Sequence, residues 1–332
     1  MSIVHVPTFE INLDLPAEER YLEIYVNFSE NIKPLFTSFY KSIPRSRKKF
    51  FPAFAKFLEK SDNEYYKEME ALAKIIEMKP YECIAVEHCC EFMVGCTSVL
   101  AKAKDEVNGG YKIVHGRNLD YPLEVSLMRD VLYKGVMTKD GKEIGTSLIF
   151  AGFQLYTSIK KGAYSISYNQ RMKKQENGFL KSMVLAFLGY KKYSRIIQET
   201  LITCDTFDEA VEHLKSTPSL NECYLSICGI DRGVKITRDR FKARLEWVYA
   251  DGREDGNTFD VQTNCDSWEE IPKRDNNRRK TAIELVEATG VEHMNEKRML
   301  FNVMNVDPVC NKETVYSSFM DPSTYKCVVL IN

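Results

Sequence analysis

Glycine and proline are sparse in this chain, 16 and 11 of 332 residues, which excludes collagen-like and low-complexity architectures. No window approaches the roughly twenty apolar residues that a membrane-spanning helix needs. An excess of either charge is missing too. The 46 Lys and Arg nearly cancel the 47 Asp and Glu, leaving a net charge of −1. Neither a nucleic-acid binder built on bulk positive charge nor a charged disordered chain fits that balance. The start, Met1 to Pro7 followed by Glu10, Asp14, Glu18 and Glu19, has no basic head and no apolar run, the two marks of a secretory signal. With Met1 as the native start, a cytoplasmic protein is expected.

Ten cysteines are present, but their spacing is unlike a small secreted disulfide framework. Cys83, His88, Cys89 and Cys90 cluster, yet they form no C-x2-C pair, and the adjacent Cys89 and Cys90 are poorly placed for tetrahedral ligation. Free thiols packed as small hydrophobes are the expected state, and no metal or cofactor is implied. What the chain does have is 44% hydrophobic and 11% aromatic residues, enough for a large core in one or two closely packed domains.

The first ninety residues read as helical. Tyr65, Met69, Leu72 and Ile76 recur at helical spacing, and Pro80 follows as a stop. Leu35, Phe36, Phe39, Tyr40, Phe50, Phe51, Phe54 and Phe57 are interleaved with lysines and arginines, a pattern that suits either a core-packed face or contact with an anionic membrane surface. From Thr97 the texture becomes β-rich. Strands are predicted over Thr97–Ala103, Tyr111–Asn118, Ser147–Ile159, Ala163–Asn169, Cys223–Cys228, Val234–Arg238, Leu245–Tyr249, Thr258–Thr263, Thr314–Met320 and Tyr325–Ile331. Helices are predicted over Asp205–Lys215, with Thr206 and Glu209 spaced as a capping box, and over Lys280–Thr289 and Asn295–Met304. Strands group together instead of alternating with helices, which favours an α+β fold with antiparallel sheets.

Asn108-Gly109-Gly110 is a strong hairpin signal between the first two strands. The turn brings Cys96, at the start of Cys96-Thr97-Ser98, beside His115-Gly116-Arg117-Asn118-Leu119-Asp120. A thiol becomes a nucleophile when a nearby cation or base stabilises its thiolate. A cysteine at a strand start is ordinarily core, however, and a lone histidine such as His115 is ordinarily a packed one. Strict alternation also puts Arg117 and Asp120 on opposite sheet faces. A turn near Asn118–Leu119 is therefore expected, so that both can face Cys96.

These two motifs, with Phe9 to Pro16, Ala151-Gly152-Phe153, Thr263-Asn264, Asp266, Trp268, Arg278-Arg279 and Thr314-Val315-Tyr316, resemble the acid ceramidase and N-acylethanolamine acid amidase family of N-terminal-nucleophile hydrolases. The resemblance runs nearly end to end. It implies an αββα sandwich of two antiparallel sheets between helical layers, with an added helical N-terminal part. It also implies self-cleavage at Gly95–Cys96, dividing residues 1–95 (an α-subunit) from residues 96–332 (a catalytic β-subunit).

By the same resemblance Cys96 is the nucleophile, Asp120 holds its freed α-amine, Arg117 stabilises the thiolate, Asn264 donates to the oxyanion, and Arg278, with Arg279 as a substitute, is a further active-site arginine. The implied substrate is a lipid N-acyl amide, ceramide or an N-acylethanolamine, with possible contact to a membrane surface or micelle and no nucleic acid. The segment Asn177–Arg195 is a candidate acyl channel or rim. Two departures stand out. Gln170 occupies the place of the family glutamate in the active-site network, and the visible N-terminus has no signal although the resembled family is lysosomal. Gln170 motivates an alternative, a catalytically silent or slowly maturing lipid binder. A conjugated-amide hydrolase or acyltransferase of the same superfamily is the other alternative.

Overall fold

The computed structural model describes residues 5–90, 95–121, 125–153, 157–172, 178–251, 257–270, 275, 277–290 and 293–331. Within them, thirteen strands form two sheets of eight and five. The strands are β1 (Thr8–Asn12), β2 (Gly95–Lys104), β3 (Tyr111–Asp120), β4 (Leu132–Lys139), β5 (Lys142–Phe150), β6 (Thr157–Lys160) and β7 (Tyr164–Gln170). They continue as β8 (Cys223–Cys228), β9 (Arg232–Arg238), β10 (Ala243–Tyr249), β11 (Phe259–Gln262), β12 (Thr314–Asp321) and β13 (Lys326–Leu330). The larger sheet runs β1-β4-β5-β6-β7-β8-β9-β10 and the smaller β11-β2-β3-β12-β13.

Helices α1 (Leu22–Ser42), α2 (Arg45–Lys48), α3 (Phe51–Ser61), α4 (Asn63–Ile75) and α5 (Pro80–Cys90) make an N-terminal helical group. Between and after the strands come α6 (Val125–Arg129), α7 (Gly178–Phe187), α8 (Tyr193–Thr203), α9 (Phe207–Ser216), α10 (Arg278–Thr289) and α11 (Glu296–Arg298). No helix among the described residues is long and apolar enough to cross a membrane.

The fold is an αββα sandwich. Val99, Ala101, Ala103 and Val114 of the five-stranded sheet pack outward against Ala282 and Val286 of α10 and against Met299, Leu300, Val303 and Met304. A small cluster of Leu100, Ile113, Cys228, Val248 and Ala250 lies between the sheets. The large core joins Ile24, Phe36 and Leu72 of the N-terminal helices to Tyr133, Leu148, Ile149 and Ile196.

Local chemistry explains the element that matters most. Gly109 and Gly110 both take positive φ, +78° and +76°, a region that costs other residues a steric penalty. The chain therefore reverses tightly, and β2 pairs with β3 in unbroken register from Gly95↔Asp120 to Lys104↔Tyr111. The α9 capping box forms as its spacing predicts, and Asp62 caps α4 by accepting from Tyr65 N.

Several expectations need correction. The first ninety residues are not all helical, because β1 pairs in parallel with β4 and so interrupts the antiparallel order of the larger sheet. Strands β1 and β4 and helices α6, α7 and α8 were not predicted. The single strand expected over Ser147–Ile159 is two, since Ala151-Gly152-Phe153 turns, with Gly152 at φ +88°. Only three residues of Asn295–Met304 are α-helical (α11); Met299–Met304 winds more widely, as a π-helical turn.

Candidate active site

Alternation along β2 and β3 sorts the site into two halves. Cys96 and Ser98 of β2 share the inner face with His115 and Arg117 of β3, and this face meets Ser165, Ser167 and Asn169 of β7 in the opposite sheet. Arg117 is fully buried. Its Nη2 donates to Cys96 Sγ at 3.0 Å, and its Nη1 donates to Asn169 Oδ1 at 2.9 Å and Ser98 Oγ at 3.3 Å. None of these hydrogen-bond partners is a carboxylate, so a buried cation lies directly against the thiol. That arrangement favours the thiolate. Burial acts the other way and more strongly, pushing the Cys96 thiol above its ordinary pKa despite Arg117.

The second half of the site grips the main chain of Cys96. Its N–H donates to Asn264 Oδ1 at 2.9 Å, and its carbonyl accepts from Arg278 Nη1 at 3.1 Å. Arg278 also donates from Nη1 to Asp120 Oδ2 at 2.7 Å and from Nη2 to Asn264 Oδ1 at 3.0 Å. Asp120 Oδ1 accepts from Thr314 Oγ1 at 2.7 Å. Burial raises the Asp120 carboxyl, partly offset by Arg278. Asn264 Nδ2 donates to the Gln170 carbonyl at 2.8 Å, and with two donors on Oδ1 this fixes the orientation of the amide.

The expected turn near Asn118–Leu119 does not occur. Strand β3 runs straight through Asp120. Arg117 and Asp120 do lie on opposite faces, and both are useful because they serve different atoms. Arg117 serves the sulfur on the inner face, while Asp120 anchors the arginine that holds the backbone. Register explains the close fit at the strand end. Gly95 pairs with Asp120, and a Cβ at position 95 would lie 3.2 Å from Asp120 Cβ.

Cys96, Arg117, Asp120, Asn264 and Arg278 are thus brought together, with Gly95 and Gln170 beside them. Gln170 takes part through its carbonyl; its Oε1 is shut off from solvent and meets no donor among the described residues. Arg278, not Arg279, reaches Cys96. Being adjacent at the start of α10, the two point in different directions, and Arg279 Nη1 donates instead to Asp266 O at 2.7 Å. His115 is not brought to the thiol. Its nitrogens meet Ser165 Oγ at 2.9 Å and Ser167 Oγ at 2.8 Å, and burial followed by Arg117 lowers its pKa to about 3.

Residues 4–65 match a family model described as the beta subunit of N-acylethanolamine-hydrolyzing acid amidase. Over 269 residues the chain is 32% identical to the N-acylethanolamine-hydrolyzing acid amidase of Rattus norvegicus, covering 79% of this chain and 71% of that protein. It is also 26% identical over 345 residues to the acid ceramidase of Heterocephalus glaber, covering 95% and 83%. The chain belongs to the acid ceramidase and N-acylethanolamine acid amidase family.

A solved structure of the Caenorhabditis elegans N-acylethanolamine-hydrolyzing acid amidase ortholog superposes with a TM-score of 0.61 at 28% identity, covering 71% of this chain and all of that one. Sequence reasoning missed the supporting members of this cluster, Ser98, Ser167 and Asn169. A signal for them existed. Ser165-Ile166-Ser167-Tyr168-Asn169 alternates polar with apolar along a strand that is buried on both faces, so its polar face had to meet a polar interior.

Proposed function

We propose that the chain is a self-processing amidohydrolase that cleaves lipid N-acyl amides, ceramide or N-acylethanolamines, to a fatty acid and an amine. One observation carries the reading: the site holds the backbone N–H and carbonyl of Cys96 as firmly as its sulfur. A nucleophile that worked through its side chain alone would not need this.

In the maturation step, Cys96 Sγ attacks the Gly95 carbonyl carbon. The C–N bond to Cys96 breaks, the sulfhydryl proton passes to the departing nitrogen, and a thioester forms. Water opens the thioester, leaving a carboxylate on Gly95 and a free α-amine on Cys96. That amine, with a reference pKa of about 8, then takes the thiol proton during turnover. This supplies the base that the raised thiol pKa demands and leaves no task for His115. The thiolate attacks the substrate amide, the Cys96 α-ammonium passes its proton to the substrate's leaving amine, which departs, and water releases the fatty acid from the acyl-thioester. Asn264 Nδ2, held in direction by the bonds to its own Oδ1 and to the Gln170 carbonyl, is the donor for the oxyanion; one such donor is typically worth about 3 kcal/mol. Residues 1–95 and 96–332 become two subunits of one precursor.

Lipid contact has a structural candidate. Phe51 and Phe54 are core, but Phe50, Leu180, Val184 and Phe187 of α7, and Leu188 just beyond it, are exposed. Helix α3, with Phe50 just before it, meets α7 through Phe50–Phe179 at 6.0 Å and Phe54–Phe187 at 5.4 Å, beside Lys48, Lys49 and Lys56. This rim supports docking on a micelle or an anionic membrane surface.

Assays of ceramide, N-palmitoylethanolamine and a bile-salt conjugate test the substrate class. Release of fatty acid from a lipid amide, abolished in Cys96→Ala, is expected. A fully active Cys96→Ala protein, or turnover of the bile-salt conjugate alone, contradicts the proposal.

A further inference from the structure

Asn264 sits just past the end of β11, an edge strand that pairs with β2 among the described residues. An edge strand restrains the loop beyond it only weakly, yet this side chain must keep three hydrogen bonds aligned at Cys96, Arg278 and Gln170. Something outside the sheet has to fix the loop.

Two residues on, Asp266 is nearly sealed from solvent and fully satisfied. Arg171 reaches it with two parallel bonds, Nε to Oδ1 at 2.6 Å and Nη2 to Oδ2 at 2.7 Å, and the Tyr224 hydroxyl donates to Oδ1 at 2.7 Å. Arg171 directly follows Gln170, the last residue of β7 in the other sheet. The tie from Asn264 to the Gln170 carbonyl and the tie from Asp266 to Arg171 therefore run side by side across the gap between sheets. A third tie, Met172 N to Asn264 O at 3.0 Å, joins the same two segments. Arg279 closes the far side through Asp266 O.

A buried ion pair is poor evidence for stability, because desolvating both charges consumes most of the Coulomb gain. The bidentate fork does fix direction, however. We propose that the Arg171–Asp266 pair, backed by Tyr224 and Arg279, is a positioning device that sets where the Asn264 amide points. The proposal rests on the thiol-amidase reading above for its catalytic consequence but not for its geometry, so two readouts are used.

The first is turnover of a lipid amide by the mature protein. Asp266→Asn keeps the size of the side chain but not its charge. Arg171→Lys keeps the charge but not the fork, and serves if the first variant does not fold. For either, kcat is expected to fall by about tenfold to a hundredfold, the scale of a small misplacement of a catalytic group, with KM held within about twofold. The second readout needs no activity. In the full-length Cys96→Ala chain, adding Asp266→Asn is expected to speed hydrogen exchange at the residue 96 amide while leaving the β8–β9 amides protected. The proposal is overturned by a kcat within about twofold of the parent, by exchange at residue 96 that does not change, or by exchange that rises uniformly, which makes the pair a general stabiliser. A parent without lipid-amide turnover defeats the amidase reading alone, and the exchange experiment still decides this one.

Discussion

At the residue scale the site is a division of labour around one cysteine. Arg117 supplies charge to a sulfur that burial otherwise keeps protonated. Replacing it by Met removes that charge and leaves Asn169 Oδ1 with Ser98 as its remaining described donor. A loss of kcat/KM of about a hundredfold or more is expected, the range for removal of one preorganised electrostatic partner. A stopped assay with fully matured protein checks it, and activity within a few-fold of the parent contradicts the assignment. Gly95 makes a second test. A valine there puts a Cβ at about the 3.2 Å approach to Asp120 and adds two methyl groups. Self-cleavage of Gly95→Val should slow at least tenfold on a gel time course, because an ångström of misalignment at a reacting carbonyl costs on that order.

At the element scale, the β2–β3 hairpin was legible because its turn chemistry, Asn108-Gly109-Gly110, is local. The meeting of Cys96 with Arg117 follows from that turn by register alone. Asn264 and Arg278 lie 168 and 182 residues downstream of Cys96 and reach it through the packing of a different strand and helix. Their place was legible by resemblance and not by any local rule. Strand β1 was missed because five residues paired at a sheet edge carry little periodic signal. The turn expected at Asn118–Leu119 was wrong for a clearer reason: it assumed that every site residue must face the sulfur, whereas an N-terminal nucleophile presents its sulfur and its nitrogen in different directions.

Helix α5 offers a test of burial. His88 packs between Phe51 and Phe54, and desolvation lowers its pKa to about 4. The folded chain therefore resists taking a proton that the unfolded chain accepts below pH about 6.5. Stability from this group is present above that pH and is lost as pH falls toward 4. Each pH unit well below 6.5 is worth about 1.4 kcal/mol, and the unfolded histidine is already half protonated at 6.5, so about 1.5 kcal/mol disappears between pH 6.5 and 5. A His88→Phe protein should lose that much less than the parent over the same interval by urea unfolding. Equal losses would mean that the folded protein binds this proton as readily as the unfolded chain does.

At the scale of the whole molecule, the Gly95–Cys96 division does not follow the core. Strand β1 pairs with β4 over five residues, Phe36 meets Phe153 at 4.9 Å, and Phe39 meets Tyr121 at 5.5 Å. Glu87 of α5 is ion-paired to Lys192 in the interior, and Arg195 reaches Asp62 at 3.2 Å. A cut chain should behave as one body. Gel filtration without denaturant is expected to show the two fragments co-eluting, and their separation under those conditions would contradict the shared core.

Everything proposed for the chemistry turns on whether Cys96 acquires a free α-amine. Intact-mass spectrometry of the purified full-length protein, incubated at acidic and neutral pH, reads this directly. The account predicts two fragments divided at Gly95–Cys96, the larger beginning Cys-Thr-Ser, and a Cys96→Ala chain that stays whole. A parent chain that remains whole at every pH contradicts it and favours a protein that binds lipid without cleaving it.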